Sequence, residues 1–181
     1  MKRICAVLIL VSLSLLPLSA LSLSVGLDAA SLLSFAYDTV GINAEAGIDI
    51  GDHFRTTLSA GFYSTSSMTD DVKFISAALS ADYFPFDSLG LYLGVSLLDL
   101  FFPFGLDSDG QIRFSNHIRL GYVFSLPYCA FDLRLNLRDL VSSGASDALY
   151  LSDKIGQLSR YSFSFIVSFV YDFKENKKED L

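Results

Sequence analysis

Charge is the scarcest property of this chain: 18% of its 181 residues are charged, against 51% hydrophobic. A soluble domain carries nearer about a quarter charged residues, so the surplus apolar surface needs a very large core or an apolar environment outside. Tryptophan is absent, and the two cysteines are Cys5 and Cys129. Cys5 lies in the first apolar segment. That leaves one cysteine beyond it, which excludes an internal disulfide and a cysteine zinc site there. The two histidines, His53 and His117, make no metal site. No HExxH, Gly-rich phosphate loop or nucleophile elbow is present. No cofactor is therefore expected. Asp107-Ser108-Asp109-Gly110 reads as a turn, since the rest of a calcium-loop motif is missing.

Only the first segment is a long apolar run. Lys2 and Arg3 precede Ile4 to Leu16, and Ala20-Leu21-Ser22 follows with small-x-small spacing. This reads as a signal peptide over 1–22 with cleavage before Leu23. The run is short for a spanning helix. Without Lys2 and Arg3, eleven basic residues face twenty acidic ones, a net charge of −9. A nucleic-acid partner needs a basic face, so that class is excluded. Residues 174–181, from Lys174 to Leu181, form a charged tail read as solvated.

Between these ends the hydrophobicity alternates with period two, the signature of strands with one apolar face. Leu23, Val25 and Leu27 alternate with Ser24, Gly26 and Asp28 in a first strand over 23–29. Ile42, Ala44, Ala46, Ile48 and Ile50 alternate with Asn43, Glu45, Gly47 and Asp49. The pattern repeats over 54–62, 75–83, 89–97, 112–124, 129–138 and 161–173, which makes eight strands. Seven of the eight are nine residues or longer, and a tilted membrane strand needs about 9–11. The connections at 51–53, 84–88 and 125–128 are short, whereas 31–40, 65–71, 98–111 and 140–158 are longer. Short and long alternate strictly, the pattern of tight periplasmic turns and longer external loops.

The polar face is rich in small residues such as Gly47, Ser59, Gly61, Ser76, Ser80 and Gly94. These suit the inside of a narrow barrel and would make a poor solvent coat. Glu45, Asp49, Asp82 and Asp132 share that face with Arg55, Arg113, Arg119, Arg134, Arg138 and His117. Four acids against five arginines predict a paired lumen network, for which the planar arginine fork is well suited. The apolar face then looks outward, and a sheet in hydrocarbon must close on itself. The expected fold is all-β: an eight-stranded antiparallel up-and-down transmembrane barrel over 23–173, with both ends periplasmic. Aromatic girdles are expected from Phe54, Tyr83, Phe84, Phe86, Phe124, Tyr128, Tyr171 and Phe173 at one rim. Phe62, Tyr63, Phe74, Phe101, Phe102, Phe104, Phe114 and Tyr161 would form the other.

On the leader, the strand count, the loop alternation and the last strand Tyr161-Ser-Phe-Ser-Phe-Ile-Val-Ser-Phe-Val-Tyr-Asp-Phe173, the chain resembles the small eight-stranded outer-membrane proteins of the OmpA transmembrane domain, OmpX and OmpW type. The resemblance covers roughly residues 23–173 and is architectural. It implies an outer-membrane location, contact with outer-membrane lipid, and a last strand similar to the signal read by the barrel-assembly machinery. The departure is that Phe173 is not terminal.

Three function classes follow. One is an envelope protein whose external loops contact host or envelope proteins; for this Phe101, Phe102 and Phe104 are the candidate contact residues, with extension of the aromatic girdle as the blander role. A second is a narrow conduit for small or hydrophobic solutes, which a lumen filled with Arg and acid side chains disfavours. The third is a lipid-modifying enzyme. Ser115 and His117 lie two apart on one face, but no third partner is identifiable, and the chain is read as not an enzyme. His53 reads as a solvated turn residue.

Overall fold

The structure is a computed structural model that describes residues 21–32, 39–65, 72–86, 89–105, 108–138 and 161–172. Nine strand segments follow one another: β1 Leu21–Asp28, β2 Thr39–Ile50, β3 Phe54–Thr65, β4 Lys73–Tyr83, β5 Leu91–Phe104, β6 Arg113–Phe114, β7 His117–Ser125, β8 Cys129–Arg138 and β9 Tyr161–Asp172. One helical turn, α1 Ala29–Leu32, follows β1. Strands β1 to β6 each pair antiparallel with the next or the previous strand, β7 pairs with β5 and β8, β8 with β9, and β1 also pairs with β9, from Ser22↔Asp172 to Asp28↔Ile166. The sheet therefore closes. β6 and β7 both pair with β5 and form a single stave, so the barrel has eight staves in up-and-down order. The sequence expectation of fold is met.

Closure sorts the two faces of each strand. Val25, Leu58, Leu93, Leu133, Phe163 and Phe169 are among the large apolar side chains on the outside. Asp82, Asp99, Asp132, Arg119 and Arg134 are buried within. Among the described strand residues, Lys73 at the loop end of β4 is the one charged residue at an outward position. This inverts the soluble arrangement of apolar core and polar coat.

The short connections gather at one end. Gly51–His53 joins the Ile50↔Phe54 pair, and Gly51 takes φ 64°, a left-handed conformation that glycine adopts without strain. The Phe84 amide donates to the His53 carbonyl at 2.8 Å, and His53 Nδ1 lies 2.9 Å from the Phe84 carbonyl oxygen. His53 is exposed, yet it bolts two neighbouring turns together, so it is more than a solvated turn residue. β1 starts and β9 ends at this same end.

Four expectations are corrected. First, β1 begins at Leu21, which pairs with Ile50. It was read from Leu23; residues 1–20 and the tail 174–181 lie outside the described residues. It also ends at Asp28, whose Oδ1 accepts the Ala30 amide at 3.0 Å and caps α1. The same oxygen accepts the Phe165 amide of β9 at 3.1 Å.

Second, β5 runs to Phe104, through much of the stretch read as a loop. Its register against β4 steps from Leu79↔Leu98 to Ser80↔Ser96, so Leu97 is an extra residue in a β-bulge. Leu97 and Leu98 both face outward, 61% and 47% exposed. Beyond them the phase is reversed: Asp99, Phe101 and Pro103 turn inward, Phe102 and Phe104 outward.

Third, the strand read over 112–124 is interrupted at Ser115 and Asn116, opposite the bulge. There the His117 amide donates to Ser96 Oγ at 2.8 Å and the Ser115 amide to the Asp99 carbonyl at 3.0 Å. Fourth, Tyr63, Phe74 and Phe101 do not join the outer rim. They are buried with Val72 in an apolar cluster inside the loop end of the barrel. Phe101, 1% exposed, is therefore no surface contact residue; Phe102 and Phe104 do face outward. Phe84 likewise turns in and packs with Val170 against the buried cluster of Tyr92, Val123 and Ala130 at the turn end. Phe173 lies outside the described residues.

Candidate functional site

The inward face carries a layered ion-pair network. Asp49 and Arg55 are direct cross-strand partners on β2 and β3, with Arg55 Nε donating to Asp49 Oδ1 at 2.5 Å. Ser22 Oγ donates to Asp49 Oδ2 at 2.9 Å. Arg55 Nη1 lies 3.8 Å from Asp132 of β8, and its guanidinium carbon sits 5.2 Å from the Phe84 ring centre.

Arg134 is the hub. Its Nη1 and Nη2 donate to both oxygens of Glu45 at 2.6 Å each, and its Nε and Nη2 reach Asp132 at 2.9 and 2.6 Å. β2 and β8 are separated by β1 and β9, so the Glu45–Arg134 fork crosses the lumen. The Tyr92 hydroxyl donates to Asp132 from the far side, at 2.9 and 3.1 Å.

A second pair joins β4 to β7. Arg119 Nε and Nη2 donate to Asp82 Oδ1 and Oδ2, both at 2.6 Å, with the two side chains 5% and 0% exposed. The pair spans β5 at Gly94, which pairs with Asp82 on one side and Arg119 on the other. A Cβ at Gly94 would collide with Asp82 Oδ1 and lie 2.7 Å from Arg119 Cγ. Glycine is needed there for close approach, not for a special turn.

The third cluster centres on Asp99, delivered inward by the bulge. Its Oδ2 lies 3.1 Å from His117 Nδ1 and accepts Arg138 Nη1 at 3.2 Å. Arg113 stands apart from these clusters, at the loop end, where it pairs with Asp109. Ser115 Oγ is buried and makes no hydrogen bond among the described residues, to His117 or to any other group.

Of the ten residues read as a lumen network, nine meet in these three clusters and Arg113 does not. Three were missed. Asp99 fell in a stretch read as a loop. Tyr92 lay in the strand read over 89–97 and was not singled out, and Asp28 was read on the polar face without a role as a cap. The signal for Asp99 was the adjacent Leu97-Leu98 pair, after which alternation resumes in the opposite phase. With Asp28 and Asp99 counted and Arg113 set apart, Asp28, Glu45, Asp49, Asp82, Asp99 and Asp132 face Arg55, Arg119, Arg134 and Arg138. Among the described residues the acids therefore outnumber the arginines six to four, where four to five was expected.

Between the ionic layers and the aromatic cluster at the loop end lies a cavity of about 50 Å³, bordered by Asn43, Glu45, Tyr63, Ala78, Asp99, Phe101, His117, Arg119 and Arg138 among others. At roughly 10–15 Å³ for each water position, this holds a few waters.

No protein-family model matches the chain, and no curated protein matches it. Among solved structures, a chain described under "De novo design of transmembrane beta-barrels" aligns at a TM-score of 0.38 and 10% identity, covering 84% of this chain and 92% of that one.

Proposed function

We propose that this chain is an integral outer-membrane barrel that serves the cell envelope as a structural or surface-interaction protein through its longer connections, and neither conducts solute nor catalyses a reaction. One observation carries the reading: a closed barrel with Leu, Ile, Val and Phe outward and its arginines and acids inward. Such an exterior is costly in water and favourable in acyl chains, and hydrocarbon tolerates only a sheet without open edges.

The two apolar clusters favour interaction over transport. Tyr63, Val72, Phe74 and Phe101 fill the lumen near the loop end, and Tyr92, Val123 and Ala130 fill it near the turns. An eight-stranded lumen is just wide enough for side chains to fill. The surfaces left for partners are the loop-end segments, much of which (33–38, 66–71 and 139–160) lies outside the described residues. Lipid outside, the assembly machinery during insertion, and envelope or host proteins at the loops are the partners this reading assigns.

The test is paired. Detergent-extracted protein should migrate differently on gels before and after boiling, and the folded form should insert into vesicles yet stay silent in planar bilayers. A chain that is monomeric and soluble in plain buffer refutes the membrane reading. Steady channels refute the closed lumen, and a lipid product formed from labelled outer-membrane lipid refutes the non-catalytic role.

A further inference from the structure

The apolar exterior is not equally tall on every stave. Height along the barrel axis follows from the registers. The row of direct partners that starts at Leu21 on β1 crosses each stave in turn and reaches Phe163 on β9. The β1–β9 register, extended three residues beyond Asp28↔Ile166, sets Phe163 opposite position 31, ten residues above Leu21. A stagger of ten residues over eight staves, at about 3.3 Å per residue and about 4.8 Å between strands, tilts the strands by about 40°. Each such row then climbs about 3 Å per stave toward the loop end, and each residue along a strand adds about 2.5 Å of height.

On that scale the turn end is level, with Ile50, Phe124 and Tyr171 within about 4 Å of one another. β9 carries Tyr161 and Tyr171 near its two ends, about 25 Å apart in height, which is the height of the lipid-facing band of such barrels. At the loop end, β3 and β4 leave apolar character at the direct partners Ser64 and Lys73, one outward position beyond Phe62 and Ile75. β5 does not. Phe102 is the direct partner of Ile75 and Phe104 of Lys73, and both face outward, 36% and 40% exposed. Phe102 stands about 6 Å and Phe104 about 10 Å above Tyr161, outside the band. Ile112, two residues before Phe114 of β6, which pairs with Leu100, adds a third apolar side chain, 50% exposed.

We propose that this raised patch is where two copies of the chain associate side by side in the membrane. Phe102 and Phe104 face along the membrane plane, so a soluble protein resting on the loops would meet the hairpin tip and not these rings. Lipid headgroups at that height are polar and offer an apolar side chain no favourable surroundings. A second barrel inserted the same way is held at the same height and presents the same patch, as a two-fold contact requires. Three side chains cannot supply the roughly 800 Å² per partner of a standard interface, so the contact continues down β5 over Leu100, Leu98 and Leu97, the last two 47% and 61% exposed. This rests on the membrane reading and names a lateral partner for it.

The experiment uses the full chain with Ser125→Cys at the turn end as its single cysteine, in a Cys5→Ser and Cys129→Ser background. Donor-labelled and acceptor-labelled copies are inserted together into dilute vesicles. Energy transfer should exceed the random-collision level in dimyristoyl phosphatidylcholine, whose hydrocarbon matches the band. It should fall about threefold or more in dierucoyl phosphatidylcholine, whose longer chains cover the patch. Phe104→Ser with Ile112→Ser should weaken association about tenfold or more, whereas Tyr161→Ser, at the loop end of β9, should leave it unchanged. The gel shift on boiling identifies folded variants, and if the double variant fails to fold, the comparison of the two lipids decides. The proposal is overturned by transfer at the collision level in the shorter lipid or by equal transfer in both lipids. It is overturned equally by unchanged transfer in the folded double variant, or by the same loss in Tyr161→Ser. Inserted but monomeric protein refutes this proposal alone, whereas protein that never inserts refutes the membrane reading.

Discussion

Gly94→Ala should be among the most damaging single-methyl changes in the barrel wall. In an ordinary strand the substitution gains stability, by about 0.5–1 kcal/mol, because glycine loses more freedom on folding. Here the new methyl falls in the path of the Asp82–Arg119 fork: it overlaps Asp82 Oδ1 and approaches Arg119 Nε to 2.8 Å. Both oxygens of Asp82 are held at 2.6 Å and its side chain is fully buried, so neither group can retreat to water. Breaking a buried pair costs about 3–5 kcal/mol, which leaves a net loss of about 2–4 kcal/mol after the glycine gain. The assay is urea unfolding of vesicle-inserted protein, with Gly47→Ala as control. There the added methyl would meet chiefly Ser24 Oγ, the end of a small side chain that can rotate away. A double-mutant cycle completes the argument. In a background with Asp82→Ala and Arg119→Leu, Gly94→Ala should become neutral or stabilising. Equal losses from Gly94→Ala with and without the ion pair would refute the account.

Three further outcomes follow from the geometry. Tyr92→Phe removes the hydroxyl from Asp132 and should cost about 1.5–3 kcal/mol in the same unfolding assay, the range for a hydrogen bond to a charged group; an unchanged midpoint would mean that Arg134 and Arg55 alone satisfy that carboxylate. Leu133→Arg places a charge at the middle of β8 on the outer face, where Leu133 is 58% exposed. In lipid this should cost about 2–4 kcal/mol, whereas a water-facing position would change by less than about 0.5 kcal/mol. Deleting Leu97 removes the bulge but keeps the pairs Ser80↔Ser96, Leu79↔Leu98 and Ala78↔Asp99, so Asp99 should stay inward beside His117 and Arg138. The protein should still migrate differently before and after boiling; coincident bands would show that the bulge itself is needed.

The barrel was legible because its information is local. Alternation along Ile42–Ile50 or Leu133–Leu137 states which side chains share a face, and short turns such as Gly51–His53 state which strands are neighbours. The layout of the network was less so. Asp49–Arg55 lies directly across one ladder and follows from the hairpin. Glu45–Arg134 crosses the lumen between strands that are not neighbours, and depends on closure and stagger that no local pattern states. Period-two reasoning also assumes constant phase. One extra residue at Leu97 broke that assumption, and with it the placements of Asp99 and Phe101. The aromatics failed for another reason. Tyr63 and Phe74 follow the inward phase of their own strands, and the preference of aromatics for interfacial girdles does not override that phase. At Asp28 the strand gives way to α1, because its carboxylate offers Ala30 a cap that a ladder cannot.

Buried ion pairs seldom stabilise a fold more than apolar residues of the same size would, so the network needs another reason to exist. Register provides one. A slip of one residue in any stave would exchange its two faces. If the interior were as apolar as the exterior, that exchange would cost little and several closures would compete. With Asp82, Arg119, Asp132 and Arg134 on one side, a slip would put full charges on the apolar exterior and leave their partners unanswered within. The cost is repeated in each stave that carries a charge, and the Asp82–Gly94–Arg119 row links three adjacent staves through one pair. The ion pairs thus act chiefly by making every alternative barrel worse. Asp99 obeys the same rule: in a stave that holds both Leu97 and Leu98, the bulge places the two leucines outward together and so keeps Asp99 with the other acids on the inner side.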